Sequence, residues 1–378
     1  MIDWEGLARP TIFRIPPYVP GKPIEEVERE LGLTDVLKLA SNENPLGPSP
    51  RAVAALKENA HTVSIYPDAG AVLLREALAE RLGVGLEQIV VGNGSDEIIR
   101  LAAEALLGPG DEAVICAPTF GEYLYAVRLL GAEPVVVRND RGQDLTAMRA
   151  AVTPRTKIVF FCNPNNPTGT MVGRAAFAEF LAALPPGVLL VYDAAYREYV
   201  DDPDYPEPLD YLREGAPILA LRTFSKIYGL AGLRVGYGIG PPGLVSLLYR
   251  VKEPFNVNSL AQKAALAALA DEEHLRRSRA MNDAGREQLY RGLEALGLGY
   301  LPSQANFVLV DLGREARPIY RDLLHRGVIV RPADVFGLPN CLRVTVGTEA
   351  QNGRFLGALA AALEASTEGG VRRSSGRE

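Results

Sequence analysis

Little in this chain supports disulfide, zinc or histidine-based chemistry. The only cysteines are Cys116, Cys162 and Cys341, which are far apart and lack C-x-x-C spacing, so neither a disulfide framework nor a structural zinc site is expected. The three histidines are scattered as well, which leaves little for a catalytic triad or a multi-histidine metal site. Acid–base chemistry must therefore use another residue, and a reducing cytoplasm is the expected location.

Features of membrane and nucleic-acid-binding proteins are also missing. No apolar run reaches membrane-spanning length, and the N-terminus carries Asp3 and Glu5 where a secretory signal would have a basic and then an apolar region. A net charge of -6 gives no basic surface for DNA or RNA. A length of 378 residues, 47% of them hydrophobic, instead predicts two domains and a core large enough to enclose a site.

Most of the chain predicts an α/β fold. Short apolar runs alternate with amphipathic stretches such as 95–107 and 174–184, the pattern of βαβ units around a mostly parallel sheet. The predicted strands are QIVVG (88–92), EAVICA (112–117), EPVVV (133–137), KIVFFC (157–162), VLLVYD (188–193) and ILALRT (218–223). Six or seven such strands make a large α/β layer.

The two ends and the last third differ from this pattern. The proline-rich segment TIFRIPPYVPGK predicts an extended arm that docks on another surface, and the Gly/Ser/Arg-rich tail predicts disorder. Helical stretches at 259–270, 273–296 and near 315–326, with the runs NFVLVDL, GVIVRP and CLRVTVG, predict a smaller α+β domain. We therefore divide the chain into an arm and first helix (1–35), a large domain (36–258), a small domain (259–366) and a disordered tail (367–378).

Two polar motifs directly follow predicted strands. VLLVYD ends in Asp193 and is followed by Tyr196, and NPNNPTG, which contains Asn166, follows KIVFFC. Ligands of α/β proteins bind at the carboxyl ends of strands, so these three residues are candidates for ligand binding. Taken singly, each motif also fits a structural role, since Asp193 can cap the next loop and the Asn-Pro steps can form a tight turn.

A Gly-rich turn, VGNGSDE (91–97), precedes a predicted helix. Gly92 and Gly94 permit close approach of the backbone, and the amides at a helix N-terminus bind anions such as phosphate. Ser95 and Asp96 also fit an ordinary helix cap. The turn is neither a full G-x-G-x-x-G fingerprint nor a Walker loop, which disfavours nucleotide binding.

A lysine provides the fourth motif. Lys226 follows ILALRT in a Gly-rich apolar setting near Ser225 and Arg234, which favours a lowered pKa and imine chemistry, although most single lysines are surface charges. Together the four motifs offer an amine for an aldehyde, a carboxylate for a pyridine nitrogen, and donors for a ring oxygen and a phosphate. Those are the requirements of pyridoxal 5'-phosphate.

At these residues the sequence resembles the fold type I pyridoxal-phosphate aminotransferases, and within them the histidinol-phosphate aminotransferase family. The likeness covers nearly the whole chain, through SNENPLGPSP (41–50), YPD (66–68), NGSDE (93–97), APTFGEY (117–123), NPNNPTG (163–169), YDAAYREY (192–199), TFSKIYGLAGLRVGYGIG (223–240) and CLRVTVGT (341–348). It implies a large domain with a mostly parallel seven-stranded sheet between helices, a smaller α+β C-terminal domain, and a homodimer with shared active sites.

The resemblance also implies roles for individual residues. Lys226 forms the Schiff base and moves a proton between substrate Cα and cofactor C4′, Asp193 pairs with the pyridinium nitrogen, and Asn166 and Tyr196 bond the ring oxygen. The other implied cofactor-binding residues are Gly94, Ser95, Asp96 (through its amide), Phe120 (stacking on the ring), Thr223, Ser225, Arg234 and, from the neighbouring subunit, Tyr66.

For substrate binding the resemblance implies two arginines, Arg331 and Arg343, which suit carboxylate and phosphate equally. The remaining implied substrate-binding residues are Tyr18, Asn44, Tyr66 and Asn166. The expected substrates are histidinol phosphate and 2-oxoglutarate or glutamate. The alternatives are an aromatic or broad-specificity aminotransferase, a lyase like threonine-phosphate decarboxylase, and a non-catalytic cofactor-binding regulator.

Overall fold

The computed structural model describes residues 2–17 and 21–374, with side chains described as far as residue 366. The strands in this part of the chain are β1 Leu37–Lys38, β2 Ile89–Gly92, β3 Glu112–Ala117, β4 Glu133–Arg138, β5 Thr156–Cys162, β6 Leu189–Asp193, β7 Ile218–Thr223, β8 Gly236–Ile239, β9 Gly299–Leu301, β10 Phe307–Asp311, β11 Val328–Ile329, β12 Arg331–Pro332 and β13 Cys341–Thr345. All six predicted strands of the large layer are present within a residue or two of their expected bounds.

The α-helices are α1 Trp4–Leu7, α2 Ile24–Leu31, α3 Pro50–Asn59, α4 Val72–Leu82, α5 Ser95–Leu106, α6 Glu122–Leu129, α7 Leu145–Ala150, α8 Arg174–Ala182, α9 Pro208–Arg213, α10 Pro242–Val251, α11 Ser259–Leu269, α12 Glu272–Ala295, α13 Ala316–His325 and α14 Glu349–Ser374. Short 3-10 helices lie at Pro10–Arg14, Ala60–Thr62, Leu86–Gln88, Arg197–Tyr199, Ala231–Leu233 and Ala333–Phe336. Within the described residues, no helix combines the length and apolarity needed to cross a membrane.

Seven strands form the large sheet, in the order β2-β8-β7-β6-β5-β3-β4. The neighbours from β7 to β4 pair in parallel, and β8 runs antiparallel to both β2 and β7. The predicted mostly parallel seven-stranded sheet is therefore confirmed. The seventh strand, β8, lies in the segment GYGI, whose two glycines weaken any strand signal in the sequence.

Alternation along the strands gives the large sheet two apolar faces. In β3, Val114 and Cys116 join one buried cluster while Ala113 and Ile115 join another on the opposite face. Successive side chains of a strand point to opposite faces, and a parallel sheet covered by helices on both sides needs both to be apolar. The carboxyl ends of β3, β5, β6 and β7 consequently meet at one edge, where the predicted polar motifs follow them.

The small domain has its own sheet and core. The antiparallel order is β12-β13-β10-β9, and β1 pairs in parallel with β11. A third buried cluster joins this sheet to α12, α13 and α14, and it includes Val27 and Leu37 from the beginning of the chain. The residues from α2 to β1 therefore pack with the small domain, although the sequence assigned them to the arm and to the large domain.

One further expectation needs correction. Ala261, Ala264 and Ala268 of α11 are buried in the core of the large domain, so the predicted boundary at 259 lies too early, because an alanine-rich helix does not reveal which core it packs on. Helix α14 runs to Ser374 and residues 375–378 lie outside the described residues, so the disorder expected for the tail stays a prediction.

The predicted extended arm is partly helical. Residues Pro10–Arg14 form a 3-10 helix that begins with a proline, a residue well suited to the first turn of a helix. Arg128 Nη1 of α6 donates to Arg14 O at 3.3 Å, and Arg14 faces Glu133 at 3.6 Å. The arm thus rests on α6 and the start of β4, while Pro16 and Pro17 reach the cavity described next.

Candidate active site

The predicted polar motifs converge on one cavity of about 760 Å³ at the carboxyl edge of the large sheet. The small domain closes its other side with Arg331, Phe336 and Arg343. The residues from the sequence prediction that line this cavity are Ser95, Asp96, Phe120, Asn166, Asp193, Tyr196, Thr223, Ser225, Lys226, Arg234, Arg331 and Arg343.

Lys226 lies in a tight turn just after β7. Gly229 N donates to Lys226 O at 3.0 Å, and Gly229 has a φ of 69° and packs so closely on Gly47 that a Cβ would lie 2.2 Å from the Gly47 oxygen. Only glycine fits both conditions. The partly buried Lys226 Nζ lies 3.5 Å from Ser41 O. Burial, followed by the positive charge of Arg343, lowers its pKa to about 8.

Asp193 ends β6 with only 4% of its surface exposed. Its Oδ2 accepts a hydrogen bond from Tyr123 OH at 2.6 Å, and its Oδ1 accepts one from Ala195 N at 3.1 Å. Burial raises the pKa of the Asp193 carboxyl to about 6, although both hydrogen bonds act in the opposite direction. Because burial disfavours the ionised form of this carboxyl, a cationic N–H group placed beside it would stabilise the carboxylate.

Asn166 and Tyr196 are held by residues from distant parts of the chain. Asn166 Oδ1 accepts from Arg343 Nη1 at 2.5 Å, and Tyr196 OH accepts from Asn42 Nδ2 at 3.0 Å. Burial raises the pKa of the Tyr196 phenol, so it stays protonated and keeps its hydrogen for an acceptor in the cavity. Both side chains thus present donors to the cavity.

The Gly-rich turn leads into α5 as predicted. Gly94 has a φ of 81°, and a Cβ there would lie 2.7 Å from Arg234 Nη2. Arg234 Nη2 in turn pairs with an Asp96 oxygen at 2.9 Å. Ser95 and Ser225 are buried beside it. The helix N-terminus, two hydroxyls and a guanidinium form a site for a phosphate.

The two arginines predicted to bind substrate lie side by side in the small sheet. Arg331 of β12 is the register partner of Arg343 of β13, and opposed residues of antiparallel strands project to the same face. Arg343 is 6% exposed and also donates through Nη2 to Ala40 O at 2.7 Å. The pair forms a cationic wall across the cavity from the large sheet.

The side chains of two predicted residues do not line this cavity. Asn44 is buried, but its Nδ2 donates to Ile227 O at 2.7 Å and to Ser278 Oγ at 2.9 Å, so it supports the Lys226 turn instead of facing a substrate. Tyr66 is 80% exposed and stacks on Phe255 with ring centroids 4.8 Å apart. Tyr18 lies outside the described residues.

Sequence reasoning missed two residues that position the site, Tyr123 and Asn42. Tyr123 bonds Asp193 and stacks on Phe160 with ring centroids 4.9 Å apart. Asn42 has a φ of 56° and orients Tyr196. Both lie inside motifs that were noticed, APTFGEY and SNENPLGPSP, but their partners are 70 and 154 residues away. The motifs can be recognised in the sequence, but which of their residues form hydrogen bonds with one another is visible only in the folded chain.

The chain belongs to the aminotransferase class I and II family, whose model matches residues 34–359. The fold type I architecture and pyridoxal 5'-phosphate dependence of this family agree with the sheet and the cavity. The chain is a transaminase, as the sequence predicted.

Several relatives are similar over nearly the full length. The chain is 56% identical to the histidinol-phosphate aminotransferase of Moorella thermoacetica, covering 93% of this chain and 92% of that one. It is 49% identical to histidinol-phosphate aminotransferase 2 of Pseudomonas fluorescens, covering 96% and 98%. A crystal structure of the Sinorhizobium meliloti histidinol-phosphate aminotransferase with pyridoxal-5'-phosphate superposes with a TM-score of 0.88 at 30% identity, covering 94% and 97%.

The cavity fits pyridoxal phosphate on its own chemistry. The Asp193 carboxyl, whose pKa burial has raised to about 6, needs the cationic partner that a pyridinium nitrogen supplies. The pKa of Lys226, lowered to about 8, leaves far more of the amine neutral near neutral pH than in an ordinary lysine, and a neutral amine is what adds to an aldehyde. The phosphate site at α5 is at the same end of the sheet, and Phe120 lines the cavity with its ring available for stacking.

Proposed function

We propose that this chain transfers an amino group between histidinol phosphate and 2-oxoglutarate in L-histidine biosynthesis. The observation that carries the proposal is the paired Arg331 and Arg343 on the wall facing Lys226, in a chain 56% identical to a named histidinol-phosphate aminotransferase. Both proposed substrates are anions, and paired guanidinium groups bind a phosphate or a carboxylate in a bidentate manner.

The roles of individual residues follow from their positions. The bound cofactor supplies an electron sink that makes the substrate's α-proton acidic. Lys226, with its pKa lowered to about 8, would remove that proton from Cα and donate it to cofactor C4′. Asp193 would keep a proton on the ring nitrogen, and Tyr196 and Asn166 would hold the ring oxygen. The phosphate would be held at the start of α5 by Ser95, Ser225 and Arg234, by the Gly94 and Asp96 amides, and by Thr223, which lines the same cavity.

Arg343 links substrate binding to this machinery. Its Nη1 contacts Asn166 and its Nη2 contacts Ala40 O, so an anion that binds it also fixes the ring-oxygen donor. Buried charge-assisted contacts of this kind hold a reacting carbon within reach of the proton acceptor.

We further propose a cytoplasmic homodimer. The three cysteines are free, in keeping with a reducing compartment. Val63, Ile65, Tyr66 and Leu73 are all exposed by 64–80%, an apolar surface typical of a protein contact. A second copy of the chain is the proposed occupant, with Tyr66 reaching its cofactor phosphate. Sedimentation of the purified protein as a monomer at working concentrations would contradict this.

The test of function is a comparison of amino donors with the holoenzyme and 2-oxoglutarate. We expect kcat/KM for histidinol phosphate to exceed that for phenylalanine. A preference for phenylalanine would instead establish an aromatic aminotransferase. Release of carbon dioxide from threonine phosphate would establish a lyase, and absence of all turnover would leave a cofactor-binding regulator.

A further inference from the structure

We propose that Arg138 is an additional specificity residue, which binds the distal anionic group of the phosphorylated substrate at the mouth of the cavity. This inference rests on the function proposed above. No motif in the sequence singles out Arg138, since it follows the strand-like run EPVVV and would pass for a solvated surface charge.

The fold places Arg138 at the carboxyl edge of the large sheet. It is the last residue of β4 and the register partner of Ala117, the last residue of β3. Asn139 N donates to Ala117 O at 2.9 Å, which fixes the chain direction directly after it. Both Arg138 and Ala117 line the cavity. The side chain therefore leaves the sheet at the edge where ligands bind.

The guanidinium reaches across to the small domain. A Cβ built on Gly337 would lie 2.6 Å from Arg138 Nη2 and 3.6 Å from its Cζ. Gly337 has a φ of 84° and follows the 3-10 helix Ala333–Phe336, which begins directly after Arg331 and Pro332. A side chain at 337 would both strain the backbone and displace Arg138. The absence of a Cβ leaves room for the guanidinium beside the arginine wall.

The part of the chain that the structure describes offers no ion-pair partner to Arg138. Among the described residues it has no carboxylate within salt-bridge distance and no side-chain hydrogen bond. Arg128, another cation of the same lining, donates to the backbone oxygen of Arg14. Arg138 is exposed, and an exposed guanidinium at a cavity mouth can meet an incoming anion without a large desolvation cost.

Position and charge together define the ligand group. Arg343 is buried beside Asn166, next to the chemistry, whereas Arg138 and Gly337 form an outer part of the lining. A substrate whose reacting Cα lies beside Lys226 is proposed to extend its phosphate toward this outer part. A phosphate there carries up to two charges and three acceptor oxygens, enough for more than one guanidinium.

The test compares histidinol phosphate with histidinol, which lacks the phosphate, as amino donors for wild-type, R138Q, R138K and R141Q holoenzymes. Arg141 is exposed, lies three residues further along and does not line the cavity, so R141Q controls for net charge. We expect R138Q to lower kcat/KM for histidinol phosphate about tenfold, mainly through KM, and R138K to recover part of the loss. Turnover of histidinol should change by less than about twofold in every variant.

An equal loss with both donors, or no loss with histidinol phosphate, would overturn the assignment of Arg138. Failure of the wild-type enzyme on histidinol phosphate would instead refute the proposed function. In that case inorganic phosphate serves as the probe, as an inhibitor of glutamate turnover. Weaker inhibition of R138Q than of R141Q would support an anion site at Arg138, and equal inhibition would reject it.

Discussion

The floor and the outer wall of the cavity are built in different ways. The floor, with Asp193 and Lys226, comes from residues at or just beyond the carboxyl ends of parallel strands of one sheet. The wall comes from two short strands of another sheet, the edge strand β4 and the arm. Asp193 has hydrogen-bond partners within the large domain, whereas the wall combines residues of both domains. We therefore expect the chemistry to depend on the floor and substrate choice to depend on the wall.

The largest expected effect is on the floor. Lys226→Ala removes both the covalent attachment of the cofactor and the proton carrier, so kcat should fall by about 10²–10⁴-fold or more. Wild-type protein should form its covalent adduct with added pyridoxal phosphate faster as the pH rises through about 8, because the neutral amine is the nucleophile. Visible absorbance of the bound cofactor and single-turnover assays measure both.

Lys157→Ala is the matched control, because Lys157 is exposed near the opposite end of β5. It should retain absorbance and turnover. If Lys226→Ala protein kept either property, another amine would have to bind the cofactor and carry the proton. The assignment of the chemistry to the floor would then be wrong.

On the wall, Arg343→Gln should raise KM for anionic substrates by about 10–100-fold, because a charged hydrogen-bond donor contributes about 1.5–3 kcal/mol. Cofactor absorbance should persist, since Arg343 does not belong to the phosphate site of α5. Arg326→Gln, on an exposed arginine paired with Asp322, is the control. Loss of the cofactor from Arg343→Gln would show that Arg343 also supports cofactor binding, so that floor and wall do not act independently.

The smallest effect concerns the support of the floor. Tyr123→Phe removes a hydrogen bond that holds the pKa of Asp193 down, so that pKa should rise further above about 6. Asp193 must be ionised to pair with a pyridinium, so cofactor affinity should fall about twofold at pH 7 and recover as the pH is raised. Titration with pyridoxal phosphate across pH measures this.

Tyr211→Phe, which leaves its ring packed on Phe177, should bind the cofactor as the wild type does at every pH. A pH-independent loss in Tyr123→Phe would indicate a packing defect instead, because Tyr123 also stacks on Phe160.

The same contrast explains what could be predicted from the sequence. Strand ends are readable from apolar runs, so Asp193, Asn166 and Lys226 were placed before any fold was known. Arg138 was not, because its significance depends on Gly337, a residue 199 positions away. The boundary at 259 was wrong because alanines of α11 carry no information about which core they join. Tyr66 gave a clear motif, but its role depends on a second copy of the chain.

The backbone of residues 40–41 has a consequence for the order of events in turnover. Arg343 bonds Ala40 O, and Lys226 Nζ approaches Ser41 O, one peptide further on. The charge of Arg343 is also one of the causes that lower the pKa of Lys226. We therefore expect an anion bound at Arg343 to weaken that effect and to raise the affinity of Lys226 for a proton. Substrate binding and the strength of the base would then be coupled through the charge of one arginine.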